Sequence, residues 1–310
     1  MNTPSLVITD VDVAIQKLRA GGLVAVPTET VYGLAADASN PRAVARIFAV
    51  KGRPTGHPLI VHIADTDQLD VWSSEPSEVA RRLARDGWPG PLTLIVPRSN
   101  QALDAVTGGR TTVGLRVPAH PMTLGLLRES GLAIAAPSAN RFGAVSPTAA
   151  QHVLDDLGDI LDPVTDAILD GGPCTVGLES TIIDTTVDPP QLLRAGAITA
   201  DDVAALVHDL AQASGPSRAS GMLESHYAPN CEVRLVDQPD DAWALRAGTS
   251  GAEILEFDDD LAKAARSLYS ELRAADARGV KMLIVVLPPA IGLGHALRDR
   301  LTKAAAPRPR

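Results

Sequence analysis

The sequence predicts an α/β protein in two units: a larger one over about the first 210 residues and a smaller Rossmann-like one after it. Short apolar runs alternate with helical patterns along the first part, the pattern of helices packed on a sheet. The stretch Ala213-Ser214-Gly215-Pro216-Ser217-Arg218-Ala219-Ser220-Gly221 has linker composition and little to bury. At 310 residues, with 45% apolar and 21% charged residues, the chain can fill two cores. The expected division is 1–212, a linker over 213–230, and 231–310.

In the first unit, Asp10 caps a helix whose Val13, Ile15 and Leu18 recur on one side, and Gly21-Gly22 ends it. Leu23-Val24-Ala25-Val26 follows as a strand stopped by Pro27, leaving Thr28, Glu29 and Thr30 in the loop at its C-terminal end. Asn40-Pro41 supplies a cap and a first-turn proline for a helix that turns Val44, Ile47 and Phe48 inward. Lys51 falls at the far end of that helix, where a cation also favours the helix dipole. Apolar runs at 59–63, 92–96, 113–117, 132–136 and 180–184 are further strands of one sheet. Residues 121–129 and 147–157 are the clearest helices between them, and Trp88-Pro89-Gly90-Pro91 is a rigid turn feeding a strand.

In the second unit, strands are expected at 232–236, 253–257 and 282–287, with an amphipathic helix over 260–278 and a last helix opened by Gly292-Leu293-Gly294. That Gly-x-Gly lacks the third glycine and the strand-turn-helix spacing of a dinucleotide fingerprint. The basic, proline-containing tail from Lys303 to Arg310 reads as a frayed end.

The net charge of −9 lies wholly in the first part. Up to Gly215 there are 15 Lys and Arg against 24 Asp and Glu, and beyond it 13 against 13. A broad basic face for nucleic acid is therefore disfavoured, and the few cations are better gathered around one small polyanion. Cys174 and Cys231 form no Cys-x-x-Cys or Cys/His cluster, so neither a disulfide framework nor a zinc site is indicated. No apolar stretch approaches the ~20 residues needed to span a bilayer, and no signal peptide is evident, so the expected compartment is the cytoplasm, with no membrane association. There is no P-loop and no Gly-x-Ser-x-Gly elbow, and the seven histidines form no metal-binding pair on a helix. A bound triphosphate must then be held by separate side chains and loop amides, with catalysis by positioning and electrostatics.

Several short motifs occur in a fixed order: Pro27-Thr28-Glu29-Thr30-Val31-Tyr32-Gly33-Leu34, Lys51-Gly52-Arg53-Pro54, Pro58-Leu59-Ile60-Val61-His62-Ile63 and Ser138-Ala139-Asn140. Gly177-Leu178-Glu179-Ser180-Thr181 follows, and then Ser220-Gly221-Met222 with His226-Tyr227-Ala228-Pro229. This series resembles the Sua5/YrdC family of L-threonylcarbamoyladenylate synthases in its two-domain Sua5 form, from about residue 10 to residue 306. The resemblance implies a YrdC-like twisted mixed sheet with helices and a smaller C-terminal Sua5 domain. It implies an adenylyltransferase that joins L-threonine, bicarbonate or CO2, and ATP to give L-threonylcarbamoyladenylate and pyrophosphate, for N6-threonylcarbamoyladenosine at position 37 of tRNA. ATP is then a substrate, accompanied by Mg2+ on its triphosphate, with no tightly bound cofactor or protein metal site. tRNA and downstream threonylcarbamoyl-transfer proteins are the macromolecular partners it implies.

The resemblance assigns Lys51 and Arg53 to the triphosphate as the catalytic pair, with His57 as a further phosphate or ribose contact. It assigns Thr112, Ser138, Asn140, Ser146, Arg194 and His226 to the nucleotide, and Thr28, Thr30, His62, Arg116 and Ser180 to the threonine and carbamate. Arg116, between Leu115 and Val117 on a strand, would meet the threonine carboxylate with two prongs. Plainer readings stand beside these: a loop histidine for His57, a structural one for His62, a surface salt bridge for Arg116 and helix capping for Ser138, Asn140 or Ser146. Strand alternation after Pro137 sends Ser138 and Asn140 to one face. The family commonly reads Ser-Pro-Gly-Met where this chain has Ala219-Ser220-Gly221-Met222, which loosens a linker expected to close over the nucleotide as a lid. An RNA-binding module and a carbamoyl-transfer accessory protein are the competing readings.

Overall fold

The computed structural model of the protein describes residues 5–207, 209–214 and 225–307. The larger unit is built on β1 (Val7–Ile8), β2 (Val24–Val26), β3 (Gly33–Asp37), β4 (Ile60–His62), β5 (Leu92–Pro97) and β6 (Thr112–Arg116). It continues with β7 (Ile134–Ala135), β8 (Ala167–Leu169), β9 (Thr181–Asp184), β10 (Gln191–Arg194) and β11 (Ala211–Gln212). These strands form one mixed sheet in the order β1-β8-β2-β3-β7-β4-β6-β5-β9-β10-β11. The smaller unit has three parallel strands, β12 (Glu232–Val236), β13 (Ala252–Leu255) and β14 (Met282–Val286), in the order β12-β14-β13. This is the α/β class with a mixed sheet and a small Rossmann-like companion that the sequence predicts.

The helix that carries the basic cluster forms for local reasons. Asn40 accepts hydrogen bonds from the backbone of Arg42 and Ala43, Pro41 occupies the first turn, and the buried side is Ala43, Val44, Ile47 and Phe48. It ends at Lys51 because Gly52 takes a left-handed φ of 62°, which turns Arg53 back so that its N–H donates to the Phe48 carbonyl. The buried face meets Leu23, Leu34, Val61 and Leu115 in the main core, which removes apolar surface worth about 1.5–3 kcal/mol per side chain.

Strands β1, β3, β8, β10 and β11 were not predicted. They are short, and β3 reads Gly-Leu-Ala-Ala-Asp, with little intrinsic strand preference; it exists because β2 and β7 pair with it on either side. The helix expected over 147–157 spans Ala150–Leu157, since the Pro147 carbonyl is taken by the Tyr32 N–H. The last helix holds Lys303 in place, running Leu293–Ala305 with a Lys303–Asp299 ion pair at 2.7 Å, so the tail is ordered further than its composition implied. Residues 215–224 of the expected lid lie outside the described residues. Among the described residues no helix is long and apolar enough to cross a membrane.

The two units share a core. Val31, Val145 and Leu178 of the first pack with Leu268, Leu272 and Leu297 of the second. Arg273 bridges to Asp156 at 2.6 Å and donates to the Val145 carbonyl, joining the units at a second point.

Candidate active site

A cleft opens at one end of the large sheet, where loops leaving β2 and β7 meet the ends of β4, β6 and β10. Thr28 and Thr30 come from the loop after β2. The Thr28 hydroxyl donates to the Val31 carbonyl and accepts the N–H groups of Thr30 and Val31, which folds that loop tightly. Its Oγ1 also lies 2.8 Å from that of Thr30. His62 and Arg116 stand opposite each other in the parallel register of β4 and β6, so adjacent strands present both at the same depth.

Arg116 is buried and fully oriented. Nε donates to the Gly90 carbonyl at 3.1 Å and Nη1 to Thr30 Oγ1 at 2.9 Å, while Nη2 lies 2.6 Å from the Glu29 carboxylate. Glu29 is itself held by the Ala119 N–H. Burial, then the charge of Arg116, lower the His62 pKa to about 3, so its imidazole is neutral at pH 7.

The same cleft is lined by Arg53, Ser138, Ser180 and Arg194. Burial lowers the Arg53 pKa to about 10 without discharging it at neutral pH. Its guanidinium sits 5.7 Å from the Phe142 ring centroid and donates to the Pro58 carbonyl. An irregular register between Leu192 and Arg194 lets Arg194 reach Ser180, donating from Nε to its carbonyl and from Nη2 to its hydroxyl, both at 3.0 Å. Ser180 Oγ is also 2.8 Å from Thr93 Oγ1.

His226 and Tyr227 close the remaining side. Tyr227 has φ of 62°, a left-handed conformation that costs a bulky residue about 1–3 kcal/mol and is held here by packing against Tyr269 and Arg300. Rings continue outward from Tyr227 to His226, Phe142 and His57, each edge-on to the next. Burial holds the His226 pKa at about 3. The buried Nδ1 atoms of His62 and His226 and the Tyr227 hydroxyl make no hydrogen bond among the described residues.

The cleft therefore brings together Thr28, Thr30, His62, Arg116, Ser180, Arg53, Ser138, Arg194 and His226. The other five assigned residues stand off its wall. Lys51 is buried, and its ammonium donates to the carbonyls of Ser138 and Asn140; burial, then the nearby Arg53 charge, hold its pKa well below the usual lysine value. Asn140 donates to the carbonyls of Arg141 and Ala144. The chain stays paired past β7, with Ser138 bridged to Gly33; Ser138 lines the cleft, whereas the Asn140 amide is spent on those two carbonyls. Ser146 caps nothing and donates to Glu179 at 2.6 Å. His57 is in the outer ring chain, and Thr112 lies on the Arg116 side of β6 four residues away.

Tyr227 is expected from the sequence to close over the nucleotide with His226, whereas Glu179, Phe142, Tyr269 and Arg300 are not singled out there as site residues. Glu179 was within reach as an acid between apolar Leu178 and Ser180 at a strand start. The partners Tyr269 and Arg300 are distant in sequence and carry no local signal.

Residues 16–196 match the Sua5/YciO/YrdC family model, described as "Telomere recombination", and residues 198–306 match "Threonylcarbamoyl-AMP synthase, C-terminal domain". A threonylcarbamoyl-AMP synthase of Pyrococcus abyssi is 39% identical, with 93% of this chain and 92% of that protein covered. One of Bacillus subtilis is 40% identical, with 94% and 91% covered. The crystal structure of P. abyssi Sua5 complexed with L-threonine is similar at a TM-score of 0.89 and 38% identity, covering 95% of this chain and 94% of that one. By both its family matches and the near full-length likeness to these relatives, the chain belongs to the Sua5/YrdC family.

Proposed function

We propose that this chain is an L-threonylcarbamoyladenylate synthase, converting L-threonine, bicarbonate or CO2, and ATP to L-threonylcarbamoyladenylate and pyrophosphate. The product serves N6-threonylcarbamoyladenosine formation in tRNA. The observation that carries this reading is that one cleft is lined by two sets of groups: Arg116 with Thr28, Thr30, His62 and Ser180, and Arg53 with Arg194 and Ser138.

In this reading the first set takes threonine. The remaining Arg116 N–H groups receive the carboxylate, and the threonine hydroxyls and neutral His62 receive the amine and carbamate. Arg53 and Arg194 take the triphosphate, with Ser138 as a hydrogen-bonding neighbour and Mg2+ arriving as part of the nucleotide substrate, while Ser180, held by Arg194 and Thr93, lies by the threonine. A carbamate oxygen then attacks the α-phosphorus, the P–O bond to the β-phosphate breaks, and pyrophosphate leaves with the electron pair. Both reactants are anions, so the protein's contribution is to offset their repulsion and fix their approach. His226 and Tyr227 exclude water from a carbamate that otherwise loses CO2. Lys51 and Ser146 act from behind the cleft by holding Ser138 and Glu179, and Asn140 by holding the loop at the Arg141 and Ala144 carbonyls. Residues 1–212 form the catalytic unit and 231–310 its structural complement, acting in the cytoplasm.

The test is to incubate purified protein with ATP, bicarbonate and each amino acid in turn and to look for a carbamoyladenylate by mass spectrometry. A threonine-dependent adenylate with matching pyrophosphate is expected. RNA retention without any threonine-dependent pyrophosphate would instead favour an RNA-binding module.

A further inference from the structure

The second unit reaches the cleft through two buried side chains that do not line it. Arg300, on the last helix, is 1% exposed. It donates from Nε to Glu179 Oε2 at 2.8 Å and from Nη2 to the Ala195 carbonyl at 2.9 Å, and its guanidinium lies 5.2 Å from the Tyr227 ring centroid. Tyr269, on Leu261–Ala277, donates to the same Glu179 oxygen at 2.7 Å and stacks on Tyr227. Glu179 and Tyr227 line the cleft, and Ala195 follows Arg194, which also lines it.

Burying an arginine and a carboxylate together is a weak source of stability, and apolar residues of similar volume fill an interdomain core at least as well. What the pair does that apolar residues cannot is to fix a charge beside the cleft. We propose that Arg300 and Tyr269 are positioning residues for the reaction: acting through Glu179, Ala195 and Tyr227, they set both the floor and the roof of the nucleotide site from the second unit. This rests on the adenylate-forming reading above.

The electrostatics give the direction. Burial alone would keep Glu179 protonated; the Arg300 charge first, Arg194 next and the Ser146 hydrogen bond then overcome it and bring its pKa to about 2. The other titratable groups facing it are His226, Tyr227 and Tyr269. With Arg300 absent, Arg194 is the main cation left to Glu179, and the carboxylate then competes with phosphate oxygens for it. Burial also pushes the Glu179 pKa back up, so this competition fades as the pH falls.

The experiment compares the full-length native chain with Arg300→Met, Arg300→Lys, Tyr269→Phe and the double variant Arg300→Met/Glu179→Gln. Arg300→Met should raise KM for ATP about tenfold or more with a smaller change in kcat. Relative to native, that KM should improve as pH falls from 8 to 5. The double variant should lose this pH dependence and regain part of the affinity, because an amide neither competes nor titrates. Arg300→Lys and Tyr269→Phe, the milder changes, keep the test open if Arg300→Met does not fold; each should raise KM for ATP two- to fivefold. A native pH profile in Arg300→Met, no gain in the double variant, or unaltered KM in the milder pair would overturn the proposal. Calorimetric titration of ATP on the same proteins separates this from the parent reading. If native protein forms no adenylate, the function fails, while the ATP affinities still decide the positioning claim.

Discussion

The Lys51 ammonium donates to the carbonyl oxygens of both Ser138 and Asn140, so the end of the basic helix is tied to the loop that forms one wall of the cleft. Two residues on, Arg53 lines the cleft itself. The neighbouring cations therefore have separable roles. Lys51→Ala strands two buried carbonyls and should cost about 1–3 kcal/mol of stability, visible as a lowered Tm, along with part of the activity.

Arg53→Ala should show the opposite balance. Its guanidinium is an anion contact in the proposed reaction, and loss of one charge-assisted contact corresponds to roughly a 10–100-fold fall in kcat/KM for ATP. Pyrophosphate release and thermal melts on both variants check the contrast. Equal Tm losses and equal rate losses would contradict it.

Arg116 donates to Gly90 and Thr30 while its charge pairs with Glu29, and only a planar fork meets all three and still has N–H groups to offer. Arg116→Lys should weaken threonine binding by about tenfold or more while changing ATP affinity by less than about threefold. Calorimetric titration with each ligand distinguishes this from a general loosening of the cleft, which would weaken both alike.

Much of this site was legible because its motifs are local. The resemblance points to Thr28, Thr30 and Arg116, and local pattern places them, the threonines in the loop after a strand stopped by Pro27 and the arginine inside an apolar strand. What sequence could not give is which polar group meets the cleft: Ser138 lines it, while the Asn140 amide is spent on the Arg141 and Ala144 carbonyls. Nor could it give contacts such as Arg300 with Glu179, 121 residues apart. In the fold, the strands missed were short ones whose pairing comes from neighbours, β3 above all.

His62 and His226 both have folded pKa values of about 3 against an ordinary 6.5, with burial as the leading cause. The unfolded chain therefore binds more protons as pH falls below 6.5, and each histidine's contribution, fully present above 6.5, is lost progressively down to about pH 3. Between pH 6.5 and 5, each should remove stability with a slope approaching about 1.4 kcal/mol per pH unit. His62→Gln should flatten the measured slope by roughly one proton. Denaturant unfolding of native and variant at several pH values in that window reads it directly; parallel slopes would mean that His62 is solvated or charged in the folded protein.

Ending the chain at residue 214 removes the whole second unit and with it Leu268, Leu272 and Leu297 from the shared core, leaving Val31, Val145 and Leu178 exposed. Each such side chain is worth about 1.5–3 kcal/mol when fully buried. The same cut strips Glu179 of Arg300 and Tyr269 and Asp156 of Arg273, so a carboxylate evolved for a dry, paired site meets water with only Arg194 and Ser146 beside it. The linker composition of 213–221 is that of two separable units, but the shared core argues for a larger penalty. The truncated protein should melt well below the full-length chain, bind an apolar dye, and hold ATP more weakly even where it stays soluble. A truncated protein with the full-length Tm and no dye binding would show that the interface contributes little, and that the larger unit's own core suffices to hold the cleft.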